Sequence, residues 1–311
     1  MSEHINDGLL AEVTRSGVVE SSHRGYLVAL NSDGSIHKSI GNIDTKIFPR
    51  STVKSIQAAA MVRNGLLLEP RLLALAASSH SGSPMHIAAV REILALAGVD
   101  ESVLQCALDR PLGEAERRAW GDAAPTRIAM NCSGKHAAML LTCKINGWPL
   151  DTYLEESHPL QVAIKNEFEK LASESITLVS TDGCGAPLFL VSVIGLARAI
   201  RAITISTDEV HQSVITACRA FPEMVAGMGR LTTQMMQEVD GLYMKDGAEA
   251  VEIASLPDGR TFVFKISDGS LRPFRTLVYA CLEEFGIKTS FEPEKVMGGP
   301  HVIGTIRATI S

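Results

Sequence analysis

The sequence lacks the features that mark several broad classes of protein. No uninterrupted apolar run approaches the roughly 18 residues of a transmembrane helix, so we expect no membrane span. The first residues are polar and mixed in charge, so we expect no signal peptide. Lysine and arginine number 29 against 35 acidic residues, which gives a net charge of −6. This balance provides no basic surface for nucleic acid or anionic lipid, and neither is an expected partner.

Cysteine is sparse and never occurs as a C-x-x-C pair. The six cysteines are Cys106, Cys132, Cys143, Cys184, Cys218 and Cys281. In a chain of 311 residues this spacing does not indicate a disulfide framework. Free cysteines of this kind are usually small buried hydrophobic residues. A reducing compartment fits them best, and we expect a cytoplasmic protein.

Strand-forming sequence lies at both ends of the chain. Roughly the first fifty residues are rich in β-formers, and Asp33-Gly34 is typical of a hairpin turn. Near the other end, two β-rich runs flank a turn at 257–260, and a last run begins at His301. We predict that the two ends pair into one antiparallel-rich sheet.

The middle of the chain has the apolar periodicity of helices. Apolar residues recur at spacings of three and four in 53–64, 72–79, 85–98, 135–145, 158–174, 187–200 and 208–219. A helical insertion between two sheet-forming ends predicts an α/β chain of the α+β kind, not a series of βαβ units. We predict a single unit over 1–311, with a sheet part at about 9–50 and 248–311 and a helical part at about 51–247.

The segment "RSTVKSIQAAAM" places a serine and a lysine one helical turn apart. Ser51 follows a proline at a predicted helix N-terminus, where backbone N–H groups stabilise a developing oxyanion. Lys54 lies on the same face and could accept the serine proton. The same S-x-x-K spacing serves the penicillin-recognising acyl enzymes. Alone, the spacing is a weak signal that often arises by chance, and a capped helix followed by a solvated lysine is the simpler interpretation.

A second group of hydroxyls occurs in "LAASSHSGSPMH". Ser79, His80 and Ser81 follow an apolar helix, and His86 lies on the next one. Such residues often do no more than close a turn. The position would also suit a second reactive serine or a group that hydrogen-bonds a substrate.

Two glycine-framed segments carry cysteines directly before helices. "NCSGKHAAML" holds Cys132 and Lys135 three residues apart, and "TDGCGAP" holds Asp182 and Cys184. Glycine lets backbone approach a ligand, and zinc favours thiolate, imidazole and carboxylate donors. The two segments therefore indicate either one shared pocket, with or without a metal, or two tight turns with buried thiols.

A further lysine stands on a predicted strand in "TFVFKISDGS". Lys265 there precedes Asp268-Gly269. Its position loosely parallels the K-T-G strand of the penicillin-recognising enzymes. A lysine that points from a strand into solvent is the simpler interpretation.

Seven segments, taken together and in this order, resemble the asparaginase II family of the Rhizobium etli type. They are "SSHRG" (21–25), "RSTVKSIQA" (50–58), "SSHSG" (78–82), "NCSGKHAAML" (131–140), "TDGCGAP" (181–187), "MVAGMGR" (224–230) and "KISDG" (265–269). The resemblance implies a hydrolase that cleaves the side-chain amide of L-asparagine to L-aspartate and ammonia. It also implies a fold similar to that of serine β-lactamases and glutaminases.

The resemblance further implies roles for ten residues. Its two serine–lysine pairs correspond to Ser51 with Lys54 and Ser79 with Lys265. Its zinc ligands correspond to Cys132, Lys135 and Cys184. Its surrounding pocket residues correspond to Arg50, His136 and Asp182. In this interpretation Arg50 would bind the substrate α-carboxylate and Asp182 its α-ammonium group, and Lys54 and Lys265 would disfavour each other's charged form.

The chain departs from the family pattern at two positions, and three further functions stay open. It has Ser83 where the family has an acidic residue, and Ser267 where the family often has glutamate. Glutaminase activity stays open, because one methylene group gives only roughly 1–3 kcal/mol of discrimination. A β-lactamase-like acyl hydrolase and a non-catalytic amino-acid-binding or zinc-binding regulatory protein stay open as well. From its size class we expect a homodimer.

Overall fold

The structure is a computed structural model, and it describes residues 6–290 and 292–310. Residues 1–5, which begin the segment inspected for a signal peptide, lie outside the described residues. Phe291 and Ser311, within the predicted sheet part and the unit over 1–311, also lie outside them. Among the described residues, no helix has the length and apolar character needed to cross a membrane.

Within the described ranges, the strands form one large antiparallel sheet and two short pairs. They are β1 (Gly8–Arg15), β2 (Val18–Leu30), β3 (Ile36–Ile40), β4 (Lys46–Ile47), β5 (Val179–Thr181), β6 (Pro187–Phe189), β7 (Val191–Ser192), β8 (Tyr243–Gly247), β9 (Val251–Ser255), β10 (Thr261–Ile266), β11 (Lys295–Gly298) and β12 (His301–Ala308). The large sheet has the order β11-β12-β1-β2-β10-β9-β8, with β3 also paired to β2. The pairing of β1 with β12 and of β2 with β10 confirms that both chain ends build one sheet.

The helices lie almost entirely between the two sheet-forming ends. They are α1 (Lys54–Arg63), α2 (Pro70–Ala76), α3 (Pro84–Leu96), α4 (Glu114–Trp120), α5 (Ser133–Asn146), α6 (Pro159–Ala172), α7 (Val193–Ile205), α8 (Glu209–Ala220), α9 (Pro222–Val225), α10 (Leu231–Glu238) and α11 (Phe274–Glu284). Short 3-10 turns cover Arg50–Val53 and Glu101–Val103. The fold class is therefore the one predicted.

Local turn chemistry fixes both hairpins expected from the sequence. Gly34, with φ of +88°, lies in the turn from β2 to β3, and Gly259, with φ of +93°, lies in the turn from β9 to β10. Glycine adopts this left-handed conformation without steric cost. The chain returns to the sheet at Tyr243 with β8, a few residues before the expected boundary at 248.

The helix predicted over 187–200 begins later than expected. Residues Pro187–Phe189 and Val191–Ser192 form short strands, β6 paired with β5 and β7 paired with β4. Ser192 then caps α7, its side chain accepting from the Gly195 N–H. A short buried apolar run fits a strand and a helix equally well, which is why periodicity misplaced the start.

One hydrophobic core joins the sheet to the helices. Helix α7 packs against β2, β9 and β10, and residues of all four elements belong to the same buried cluster. Strand β8, at the sheet edge, contacts the 3-10 turn at Arg50–Val53. This contact brings the first residues of the helical part to the edge of the sheet.

Candidate active site

A cavity of about 540 Å³ opens beside β8 and the 3-10 turn. Its lining includes two serines that the sequence singled out and four polar or charged residues from other segments: Ser51, Ser79, Asn131, Arg230, Asp246 and Glu249. Concave sites with a few convergent polar groups are the usual form of a small-molecule site. We therefore treat this cavity as the candidate active site.

The turn that carries Ser51 is held in an unusual backbone conformation. Arg50, just before it, has φ of +53°, which is costly for a residue other than glycine. A Cβ atom at Gly247 would lie 3.1 Å from the Pro49 carbonyl oxygen, so the glycine at this end of β8 permits the close approach. Ser51 is half-buried in the cavity wall, and residues 6–290 and 292–310 provide no hydrogen bond to its hydroxyl.

Lys54 is buried at the start of α1 and joins three segments. Its Nζ donates to the Ser78 carbonyl oxygen at 2.5 Å, to Ser79 Oγ at 3.0 Å and to Cys132 Sγ at 3.0 Å. A lysine ammonium group has three donors, and each has an acceptor here. Lys54 is therefore fixed between the second serine and the first cysteine-bearing loop.

The observed contacts differ from the serine–lysine pairs implied by the resemblance. Lys54, expected beside Ser51, contacts Ser79. Lys265, expected beside Ser79, donates to the backbone carbonyls of Glu249, at 2.7 Å, and Ile266. Burial lowers the pKa of Lys265, and Glu249 opposes this effect. The catalytic roles of the two serines and two lysines stay predictions.

The loop that carries Ser79 is pinned by the "MVAGMGR" segment. The backbone N–H of Ser79 donates to the Val225 carbonyl at 2.9 Å, and that of Ser81 donates to the Ala226 carbonyl at 2.7 Å. Gly227 has φ of +138°, and a Cβ there would lie 1.9 Å from Ser81 Oγ. Only glycine fits this position, and the segment therefore fixes the position of the Ser79 backbone at the cavity.

The two cysteine-bearing loops meet in one buried site. Lys135 Nζ donates to Cys184 Sγ at 3.2 Å, and both side chains are buried, as is Cys132. A hydrogen bond from Cys132, together with the Lys135 charge, holds the pKa of the Cys184 thiol well below its usual range. The hydrogen bond to Cys184 and burial raise the pKa of Cys132. The spatial convergence that the glycine-framed segments indicated is thus present.

The donor set of this site fits zinc. Two sulfur atoms and one amine nitrogen lie together, and the buried Nε2 of His136 has no hydrogen-bond partner among the described residues. Zinc prefers sulfur and nitrogen donors in a closed site. The residues that the structure describes contain no group of three His, Cys, Asp or Glu side chains placed to hold a metal ion, so the amine of Lys135 would be needed as the third ligand. Lysine must lose its proton to bind a metal.

The predicted substrate-binding residues lie around the cysteine site and not in the cavity wall. Arg50 Nε donates to Asp182 Oδ1 at 2.8 Å. Cys184 Sγ lies 3.6 Å from Asp182 Oδ2. His136 Nδ1 lies 2.7 Å from the Tyr153 hydroxyl. Arg50 and Asp182 therefore neutralise each other before any substrate enters.

Around Ser79, the side chains of His80, Ser83 and His86 serve the local structure. His86 Nδ1 lies 2.7 Å from Ser83 Oγ, and the two form the N-terminal cap of α3. His80 is fully buried, stacks on His86 with ring centroids 5.2 Å apart, and lies 2.9 Å from Ser133 Oγ. Burial lowers the pKa of His80 well below its usual value, which keeps the ring neutral. These contacts match the turn-closing interpretation.

Sequence reasoning missed a charged group beside the serines. Lys245 on β8 is fully buried, and its Nζ donates to Asp246 Oδ1 at 2.8 Å. Arg230 donates to Asp246 Oδ2 and, at 2.6 Å, to the Ser79 carbonyl. The signal was present as "KDG" at 245–247, which has the spacing of a strand K-T-G. A lysine and an arginine taken singly give no sign that they will share one carboxylate.

Comparison with known proteins covers nearly the whole chain. A family model described as L-asparaginase II matches residues 11–304. No curated protein matches the sequence.

Similar solved structures include a β-lactamase from Mycobacterium bovis, at 15% identity over 85% of this chain and 95% of that one, with a TM-score of 0.46. A mutant of simvastatin synthase from Aspergillus terreus has 12% identity over 84% and 91% of the two chains, with a TM-score of 0.39. Mglu in its native form has 15% identity over 86% of this chain and 65% of that chain, with a TM-score of 0.38.

Proposed function

The chain belongs to the L-asparaginase II family, and we propose that it hydrolyses the side-chain amide of L-asparagine to L-aspartate and ammonia. The observation that carries the proposal is the contact of Lys54 with Ser79 at a cavity that Ser51 also lines. Amide hydrolysis by an acyl-enzyme route needs a nucleophile and a proton carrier in the same site. These residues would supply both in one place.

In the proposed reaction Ser51 attacks the amide carbon. The Oγ–C bond forms as the serine proton passes through the Ser79 hydroxyl to Lys54. Lys54 must enter this step as a neutral amine, so it first gives up one of the three protons that it donates to Ser78, Ser79 and Cys132. The same proton then returns to the amide nitrogen, the C–N bond breaks, and ammonia leaves. Water hydrolyses the resulting ester and restores Ser51. The 3.0 Å distance between Lys54 Nζ and Ser79 Oγ supports the transfer from Ser79 to Lys54, because proton transfer requires hydrogen-bond contact. For the first transfer the Ser51 hydroxyl would have to turn toward Ser79.

The remaining predicted residues support the site without entering these steps. Cys132, Lys135 and Cys184 would hold zinc, which when bound would tie the two cysteine-bearing loops together. Arg50 and Asp182 would keep the neighbouring backbone in place through their ion pair. Lys265 lies behind the cavity lining, where it donates to the carbonyl of the lining residue Glu249, and its charge would act on the bound substrate from there.

Ammonia release tests the proposal directly. The wild type, Ser51→Ala and Ser79→Ala are assayed with L-asparagine and, separately, L-glutamine. We expect the wild type to act on L-asparagine, Ser51→Ala to lose turnover, and Ser79→Ala to be slowed by roughly 10²–10⁴-fold through loss of the proton carrier. A folded, zinc-replete wild type that releases no ammonia from either amide would exclude the proposal and favour a binding protein.

The expected homodimer and cytoplasmic location complete the proposal. Free amino acids are small substrates that need no membrane or nucleic-acid partner. Light scattering after size-exclusion chromatography gives the mass in solution. Twice the 33.4 kDa of one chain is the expected result, and a mass of one chain would contradict it.

A further inference from the structure

The "MVAGMGR" segment ends in a charged residue to which the reaction above gives no role. Arg230 lines the cavity, and about a fifth of its side chain, 22%, is exposed. Its Nη1 donates to the Ser79 carbonyl at 2.6 Å, so the guanidinium group is fixed to the backbone of a proposed catalytic residue. A charged group this close to the serines bears on which substrates can bind.

The guanidinium group is oriented by a partly buried carboxylate that also lines the cavity. Asp246 accepts from Arg230 through Oδ2, and from Lys245, at 2.8 Å, and Thr232, at 3.3 Å, through Oδ1. Burial opposes ionisation of Asp246, but the charges of Arg230 and Lys245 outweigh it and hold the pKa of Asp246 well below its usual range. Asp246 is therefore an anion that aligns Arg230.

The charges around Asp246 do not cancel. Arg230 and Lys245 contribute two positive charges and Asp246 one negative charge. Glu252, paired with Asp246 across β8 and β9, is fully buried, and burial raises its pKa well above the usual value. Burial thus favours the neutral form of Glu252. Burial also lowers the pKa of Lys245, an effect that the Asp246 charge opposes. With Lys245 charged at 2.8 Å from Asp246, one positive charge remains unbalanced among these four residues. Such an excess at a concave wall attracts an anion.

The short length of asparagine determines where a group that binds its α-carboxylate must lie. Two carbon atoms separate its carboxyl carbon from its amide carbon, so a group that binds the α-carboxylate must lie close to the nucleophile. Arg230 lines the same cavity as Ser51 and is held there by the Ser79 carbonyl, whereas Arg50 pairs with Asp182 and is not part of the cavity lining. Arg275 also lines the cavity, but its guanidinium carbon lies 5.5 Å from the ring centre of Tyr279.

We propose that Arg230 binds the α-carboxylate of the amino-acid substrate and that Asp246 and Lys245 position it. The proposal rests on the asparaginase function proposed above and assigns the carboxylate-binding role to Arg230 in place of Arg50. Guanidinium groups pair with carboxylates through two parallel hydrogen bonds, which fixes both distance and orientation. The distance between Arg230 and the serines would then select substrates by the number of carbon atoms between carboxylate and amide.

Two substrates separate carboxylate binding from a structural role. L-Asparagine has the carboxylate, and 3-aminopropanamide is the same molecule without it. We expect Arg230→Gln to lower kcat/KM for L-asparagine by roughly 10- to 100-fold, because a hydrogen-bonded charge is lost. With 3-aminopropanamide the variant should stay within about threefold of the wild type, and Arg230→Lys should recover part of the loss with L-asparagine.

Arg275→Gln and Arg50→Gln are the matched controls, because each removes one guanidinium group near the site. Equal losses of Arg230→Gln with both substrates would overturn the proposal and leave Arg230 as a support for Ser79. A selective loss in Arg275→Gln or Arg50→Gln instead would move the carboxylate to that arginine. A wild type without turnover of L-asparagine would be a failure of the proposed function, not of this inference.

Binding without turnover gives a second measurement. Calorimetry of L-asparagine binding is compared in Ser51→Ala and in Ser51→Ala with Arg230→Gln. A tenfold or greater loss of affinity from the added change supports the assignment, and an unchanged affinity overturns it. This comparison holds even where 3-aminopropanamide is too poor a substrate to measure, and thermal unfolding of each variant confirms that it is folded.

Discussion

Lys54 is the residue on which the proposed chemistry most depends. If Lys54 and Ser79 act as one unit, removing either should cost nearly as much as removing both. We therefore expect strong non-additivity in kcat for Lys54→Met combined with Ser79→Ala. Steady-state rates of ammonia release from the two single variants and the double variant measure it.

Lys265 provides the control for this cycle. The pairing implied by the resemblance would make Lys265→Met and Ser79→Ala the coupled pair instead. The observed contacts, Lys54 with Ser79 at 3.0 Å and Lys265 with the Glu249 carbonyl at 2.7 Å, predict independent effects for that second pair. Additive effects of Lys54→Met and Ser79→Ala would show that the contact carries no catalytic proton.

The proposed zinc ligands make a prediction that does not depend on activity. Cys184→Ser should lose bound zinc, because it removes one of the two sulfur donors of the site. Metal analysis of the purified protein measures zinc per chain. Cys218→Ser is the matched control, since Cys218 is a buried thiol on α8 whose pKa burial raises to about 12. Equal zinc content in both variants would contradict the ligand assignment.

At the residue scale, the sequence was informative about which residues gather and less so about how they pair. The glycine-framed cysteines indicated two segments that do meet in space. The S-x-x-K spacing paired Lys54 with Ser51, whereas the hydrogen bond that forms joins Lys54 to Ser79. The contact of Lys54 with Ser79 depends on how α1 and α2 pack, which no local pattern encodes. Lys245 resembled any strand lysine, because its burial follows from the covering of β8 by the helical part.

At the element scale, an ion-pair network joins three helices. Glu167 on α6 accepts from Arg63 on α1 at 2.9 Å and lies 2.5 Å from His211 Nε2 on α8. Burial disfavours the carboxylate, but these partners more than compensate and lower the pKa of Glu167 to about 2. The carboxylate therefore stabilises the packing of α1, α6 and α8.

The pH dependence of this network has a definite sign. A carboxyl group whose pKa is lower in the folded chain stabilises the fold above its unfolded pKa of about 4.5 and loses that effect as pH falls through about 2. The shift corresponds to at most about 3 kcal/mol. Glu167→Gln should thus be less stable than the wild type at pH 7, and the gap should close between about pH 5 and pH 2.

Chemical denaturation at several pH values measures this gap. Glu92→Gln is the control, because Glu92 forms an exposed pair with Arg71 and such pairs contribute little. A wild-type advantage over Glu167→Gln that stays constant down to pH 2 would contradict the role of the charge.

Elements that depend on their own residues were predicted more accurately than elements that depend on a distant partner. Hairpins at Gly34 and Gly259 depend on turn residues, and both were predicted correctly. Helix α7 was given too early a start because β6 and β7 exist only through their partners, β5 and β4. Hydrophobic periodicity describes one segment at a time, so it cannot predict a strand that forms only by pairing with a distant segment.

At the scale of the whole molecule, the chain ends and the helical insertion share one core, and this predicts a single cooperative unfolding transition. Ile200 on α7 is fully buried where that helix covers the sheet. Ile200→Ala should cost about 2–5 kcal/mol, through lost burial and the cavity left behind. Since the sheet and the helices unfold together, the slowest-exchanging amides of β10 and of α5 should lose equal protection.

Hydrogen exchange measures the protection of both elements, with Leu67→Ala, at an 89% exposed position, as the control. If protection falls in β10 and not in α5, the sheet and the helical part are separate folding units, and the single unit predicted over 1–311 is wrong.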